Sequence, residues 1–298
     1  MSIVCAVDFS EHSAEAVAVA STLAASLREP LSLVHVMEPF GWVTQLPNIQ
    51  ASLLQGINEL LGQEADRLRQ IGVAVQVKLL EGIPDEAVVA YAKASNARVV
   101  VVSALGYRSR GWGIGSVADR IAQTSPIPAL IVRRPEVFQT WTRKERPLRV
   151  LIGADLSATY DAAIRWVRQL RQIAPCDVLV THVFWDSEER QRRGIKGPSE
   201  VEPIDPEKEQ ALTRDLAART GNLPGEGSLH FQIRAGTGLI ADQLVQLAEE
   251  TRADLVVVGT HQRRGLQRWW YGSVSQGVLH AASMSVACAP ATVSGETT

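Results

Sequence analysis

The sequence predicts an α/β protein made of two tandem, doubly wound, open parallel sheets of five strands each. Two observations lead there. Short apolar runs alternate with stretches of helical spacing, and runs such as Val99–Val102 are apolar throughout, as strands covered on both faces require. The whole pattern then occurs twice in 298 residues. Val7-Asp8 is answered by Ala154-Asp155 and His35-Val36 by His182-Val183, each 147 positions on. Gly115-Ser116-Val117 is answered by Gly272-Ser273-Val274, 157 positions on. Blocks in the same order with small insertions between them mark a duplicated domain, and the period is too long for a solenoid.

In the first half, Ile3–Asp8 has the composition of a short strand, and Ser10 is placed to cap a helix over Ala14–Leu27. Leu31–Val36 is the second strand. Leu53–Ile71 has amphipathic helical spacing and stops at Gly72. Val73–Leu80 is the third strand, and Pro84–Ala94 a helix with proline at its first turn. Val99–Ser103, a helix over Ser116–Thr124 and a strand at Ala129–Val132 complete the half. The second half repeats this with strands at 149–154, 177–183, 229–234, 254–259 and 285–289, and helices near 158–173, 207–219, 239–250 and 273–281. The domains are expected at residues 1–135 and 147–292, with a linker over 136–146 and a tail over 293–298. The linker is charged, is flanked by Pro135 and Pro147, and carries no long apolar period.

Composition excludes several classes. A net charge of −2 advertises no nucleic-acid or acidic-membrane partner. The three cysteines, Cys5, Cys176 and Cys288, are distant and odd in number, which fits neither a disulfide framework nor a zinc site. Cys5 and Cys288 fall in strand-type runs and are expected to be buried and inert. No window approaches the ~20 apolar residues of a membrane span, and the first residues lack a signal-peptide pattern, so a soluble cytoplasmic protein is expected.

Open parallel sheets take ligands beyond the carboxyl ends of their strands. The informative loop in the second half runs from Gly259 through His261 and Gln262 to Gly272 and Ser273. Gly259 permits a sharp turn at the strand end. Gly272-Ser273-Val274 opens a helix whose free N–H groups and dipole attract anions. In the first half the matching residues are Ser103, Gly106, Gly115, Ser116 and Val117.

These loops resemble the universal stress protein family, whose nucleotide loop has the form G-x2-G-x9-G-[ST] between the fourth strand and fourth helix. The chain offers Gly259-x2-Gln262-x9-Gly272-Ser273, with glutamine at the second glycine. The first half offers Ser103-x2-Gly106-x8-Gly115-Ser116, lacking the first glycine and one residue of spacing. The resemblance covers nearly the whole chain, twice, and implies sheets of strand order 3-2-1-4-5, of the adenine nucleotide alpha-hydrolase-like kind. It also implies a stress-response regulatory protein that binds ATP or a related adenine nucleotide, with magnesium. Asp8 and Asp155 resemble the aspartate that helps hold the nucleoside, and Val36 and Val183 the position whose backbone reads the adenine edge. The alternative is a nucleotide-free interaction module of the same fold.

Other readings also stand beside these. The glycines serve tight turns without a ligand, and the aspartates serve as Asx caps. His35 and His182, without carboxylate or cysteine at ligand spacing, read as satisfied core histidines; His261 reads as a loop residue or a phosphate contact. Trp269-Trp270-Tyr271 reads as a packing turn or a docking patch. There is no Walker A pattern and no acid–base pair common to both halves, so no conventional enzyme is expected and at most weak ATP hydrolysis. The last strand of each half is expected at a sheet edge, and the resemblance implies that such edges pair, within the chain or in a homodimer.

Overall fold

A computed structural model describes residues 1–38, 47–106, 113–184, 204–236, 238–260 and 274–291. The chain divides into two compact units, Met1–Thr142 and Arg143–Thr298. In unit 1 the order along the chain is β1 (Ser2–Ala6), α1 (Glu11–Leu27), β2 (Leu31–Met37), α2 (Pro47–Gln70), β3 (Val75–Glu81), α3 (Pro84–Ala94), β4 (Ala97–Ser103), α4 (Ser116–Thr124), β5 (Ala129–Val132) and α5 (Glu136–Thr142). Unit 2 follows with β6 (Leu148–Gly153), α6 (Ala158–Leu170), β7 (Cys176–Phe184), α7 (Pro206–Thr220), β8 (Leu229–Ala235), α8 (Ile240–Glu250), β9 (Leu255–Thr260), α9 (Val274–Ala281) and β10 (Ser285–Pro290).

Within unit 1 the strands lie in the order β3-β2-β1-β4-β5, and within unit 2 in the order β8-β7-β6-β9-β10. Both are the 3-2-1-4-5 order, with parallel pairing throughout. The order reverses beside β1 and β6, so the carboxyl ends of those strands open onto a crevice. The central strands are sealed on both faces. Ile3, Val4 and Cys5 of β1, Val99 to Val102 of β4 and Leu255 to Val258 of β9 are all buried.

Helix starts follow from their capping residues. Ser10 accepts from the Ser13 N–H at the start of α1, and Ser157 from the Thr159 N–H at the start of α6. Pro84 and Pro206 sit in first turns, where no N–H is needed.

Part of the stretch expected as a linker is helical. Residues 136–142 form α5, whose Val137, Phe138 and Trp141 are buried. The helix packs on α1 and lies with unit 1. Three apolar residues at i, i+1 and i+4 make one buried stripe in less than two turns, which is too brief to register as a period. The remainder leads into β6, where Arg146 pairs with the buried Asp254 at 2.5 Å. The tail over 293–298 lies outside the described residues.

All three cysteines are buried thiols outside any disulfide, Cys176 included. Burial pushes the Cys5 thiol well above its ordinary range, so no thiolate is available at neutral pH. The native protein is expected to show no reaction with a thiol reagent such as DTNB over minutes, and three reactive thiols in guanidinium. Rapid native labelling at one site would contradict this burial.

Candidate functional site

Each unit builds the same turn after its first strand. In unit 1, Oδ1 of Asp8 accepts from the Ser10 N–H at 3.0 Å and from the Ser10 hydroxyl at 2.6 Å. In unit 2, Oδ1 of Asp155 accepts from the Ser157 N–H at 3.1 Å and hydroxyl at 2.7 Å. The Asx-type turn considered for both aspartates is thus present. The residue between aspartate and serine is left-handed in both copies, Phe9 at φ 62° and Leu156 at φ 57°. A non-glycine residue held there costs on the order of 1 kcal/mol or more, and the cost is met twice at matched positions. Sequence reading missed this strain. Its only trace is the repeated Asp-x-Ser.

The paired histidines fasten the same turns. Nδ1 of His35 donates to the Val7 carbonyl at 2.7 Å, and Nδ1 of His182 to the Ala154 carbonyl at 2.7 Å. A carbonyl can only accept, so Nδ1 carries a proton in both copies. Both histidines are satisfied as expected, although half-buried. The ring of His35 lies 4.7 Å from that of Phe9.

In unit 1 a cavity of about 1000 Å³ opens at the carboxyl ends of β1, β2 and β4. Asp8, Val36, Gly106, Gly115, Ser116 and Val117 all line it, so the six first-half candidates, scattered over 110 positions of sequence, meet at one place. Its remaining wall is largely apolar, from Phe9, Met37, Leu53, Ile57, Leu60 and Ile83. Gly106 admits the carboxylate: a Cβ there would stand 2.7 Å from Oδ2 of Asp8. Gly115 is the N-cap of α4, supplies no side-chain cap, and bonds the Ala104 carbonyl through its N–H at 2.7 Å. The first N–H groups of α4 therefore begin at the cavity wall without a side-chain cap from their N-cap residue.

Unit 2 differs at the matched places. A Cβ on Gly259 would stand 2.4 Å from both Cβ and O of Thr159, so this glycine lets α6 lie against β9. The first glycine of the loop pattern is a packing residue here, and Ser103 in unit 1 does without it, its hydroxyl donating to the Leu105 carbonyl at 2.6 Å. Val183 is buried, with Cγ1 only 2.4 Å from where a Cβ of Gly236 would be. In unit 1 the corresponding Gly82 has nothing within 4 Å, and Val36 faces the cavity. Asp155 is exposed, and Val274 begins α9. His261, Gln262, Gly272, Ser273 and the Trp269–Tyr271 turn lie outside the described residues.

The model of the universal stress protein family matches residues 1–133 and again residues 148–290. The chain belongs to the universal stress protein family. Universal stress protein Rv2005c of Mycobacterium tuberculosis is 25% identical over 300 residues, covering 95% of each chain, so the tandem organisation is shared along the full length. Universal stress protein MJ0577 of Methanocaldococcus jannaschii is 23% identical over 148 residues, 46% of this chain and 91% of its own, which is the span of a single unit. Among solved structures, a universal stress protein from Archaeoglobus fulgidus matches with a TM-score of 0.69 at 16% identity, over 97% of this chain and 98% of its own. A second, from Pseudomonas aeruginosa and described as putative, matches with a TM-score of 0.60 at 16% identity, over 98% and 93%. At these identities the structural matches establish the fold. Among the described residues no helix is long and apolar enough to cross a membrane.

Proposed function

We propose that this universal stress protein binds an adenine nucleotide in the unit 1 cavity and acts as a ligand-responsive regulatory protein of the stress response. The observation that carries the reading is the convergence of Asp8, Val36, Gly106, Gly115, Ser116 and Val117 on one cavity. About 1000 Å³ lies at the upper end of small-molecule pockets, with ample room for a nucleoside triphosphate. The apolar wall and the backbone at Val36 suit a base; Asp8, acceptor-only when ionised, suits a ribose or amino donor. The open start of α4 suits phosphate oxygens. Magnesium would be carried chiefly on the nucleotide's own phosphates, its usual mode beside a triphosphate. Regulation follows if the nucleotide favours one of two conformations of the loops it touches.

The test is calorimetry with ATP and magnesium on the full chain, comparing Gly115→Asp with Gly272→Asp. Binding that survives Gly272→Asp and falls at least ~30-fold in Gly115→Asp, a like charge placed against phosphate, is the expected result. The reverse pattern would move the site to unit 2. No binding by the unaltered chain would favour a nucleotide-free interaction module.

A further inference from the structure

Unit 1 carries a charged pair at its cavity wall that unit 2 has replaced. Arg120 stands one turn into α4, beyond Ser116, and lines the cavity. Its Nε lies 2.8 Å from Oδ1 of Asp85 in the first turn of α3. The Asp85 side chain is 7% exposed and that of Arg120 41%. The two atoms are at ion-pair distance without aligned hydrogen-bond geometry. A buried carboxylate needs a counter-charge, and one edge of a guanidinium supplies it while the rest of the fork keeps its donors.

The duplication supplies the comparison. Counting from Gly272-Ser273 as from Gly115-Ser116, the position of Arg120 falls on Gly277. Helices α3 and α8 are both 11 residues long, and their second residues are Asp85 and Ala241. A Cβ on Gly277 would stand 2.5 Å from Cβ of Ala241. The same two positions therefore face each other in both units, as arginine and aspartate in one and as glycine and alanine in the other. Packing α3 on α4 does not demand the charges, because the sister unit joins its helices without them.

We infer that Arg120, held in place by Asp85, is a specificity-determining residue that makes unit 1 select ligands by their negative charge, a selection unit 2 lacks at this wall. The inference rests on the nucleotide reading of the cavity and concerns which part of the ligand is read. A guanidinium beside a largely apolar wall binds phosphate more strongly than the same group in open water. Arg120 stands on the same helix as the uncapped N–H groups, so both act on the charged end of the ligand.

The experiment is calorimetry of the full chain with ATP, adenosine and inorganic tripolyphosphate, for the unaltered protein, Arg120→Ala, Arg120→Lys and Asp85→Asn. ATP and tripolyphosphate are expected to weaken about 10-fold in Arg120→Ala, with adenosine unchanged. Arg120→Lys keeps the charge without the fork and is expected to lose about 3-fold for ATP with an unchanged melting temperature. Asp85→Asn should lose ATP affinity selectively as well. Equal weakening of ATP and adenosine would make the pair merely structural and overturn the inference. So would an unchanged ATP-to-adenosine ratio in both Arg120 variants. These outcomes leave the nucleotide reading intact, whereas an unaltered chain that binds none of the three probes overturns both. Tripolyphosphate binding lost in Arg120→Ala, without adenosine binding, would sink the adenine reading alone.

Discussion

Gly106→Val is expected to lower ATP affinity by about 100-fold, near 3 kcal/mol, with little change in the unfolding of unit 2. The residue has no bulk of its own, and its effect comes through Asp8. A Cβ at Gly106 would stand 2.7 Å from Oδ2 of Asp8, well inside contact distance. Asp8 cannot simply rotate away, because its Oδ1 holds the Ser10 N–H and hydroxyl, and with them the left-handed Phe9 turn. Either the carboxylate leaves that turn, or the backbone at Gly106 retreats with the loop that borders the cavity. Both alter the wall where Asp8 meets the ligand, and valine also fills space directly. Calorimetry of the variant beside the unaltered chain, with denaturation followed in parallel, separates lost binding from lost folding. Binding within 3-fold of the original would mean that Asp8 and Gly106 do not meet at a ligand.

Trp141→Ala is expected to cost about 3–5 kcal/mol of unfolding free energy, the range for truncating a fully buried tryptophan. Trp141 has no exposed surface, and its ring meets Phe138 edge-on with centroids 6.4 Å apart. The helix carrying both packs on α1. We propose on this ground that the first domain extends to Thr142 rather than ending at Pro135. A linker residue would change stability by no more than ~0.5 kcal/mol. Guanidinium unfolding followed by circular dichroism distinguishes the two, and an unchanged midpoint in Trp141→Ala would return the stretch to the linker.

Both variants probe what a linear reading sees poorly. The glycines after β4 and β9 carry a family pattern in sequence, and the pattern looks more complete in the second half, where Gly259 keeps the first position. The structure separates the roles. Gly259 is required by Thr159 behind it, whereas Gly106 is required by Asp8 at the cavity. The same pattern position thus serves packing at Gly259, and motif completeness alone does not distinguish a packing glycine from one that faces a cavity. Arg120 is hard to recognise in sequence for a related reason. On a helix it reads as a solvated charge, and its link to Asp85 spans 35 positions of sequence.

The sequence by itself determined the α/β class, the duplication, the strand and helix order, the capping Ser10 and the burial of Cys5 and Cys288. All of these depend on local composition and period, which the pleat of a strand and the turn of a helix impose wherever the chain goes. It also pointed to six of the residues that line the unit 1 cavity, through a pattern shared with the family. Only the tertiary structure decided the rest: the left-handed Phe9 and Leu156, α5 as part of a packed unit, the close contact of Val183 with Gly236 where Val36 stays open, and the replacement of Arg120 and Asp85 by Gly277 and Ala241. Each of these is a distance between residues far apart in the chain or a backbone angle imposed by its neighbours. Such quantities are set by how finished elements close-pack, and a one-dimensional pattern carries them only faintly.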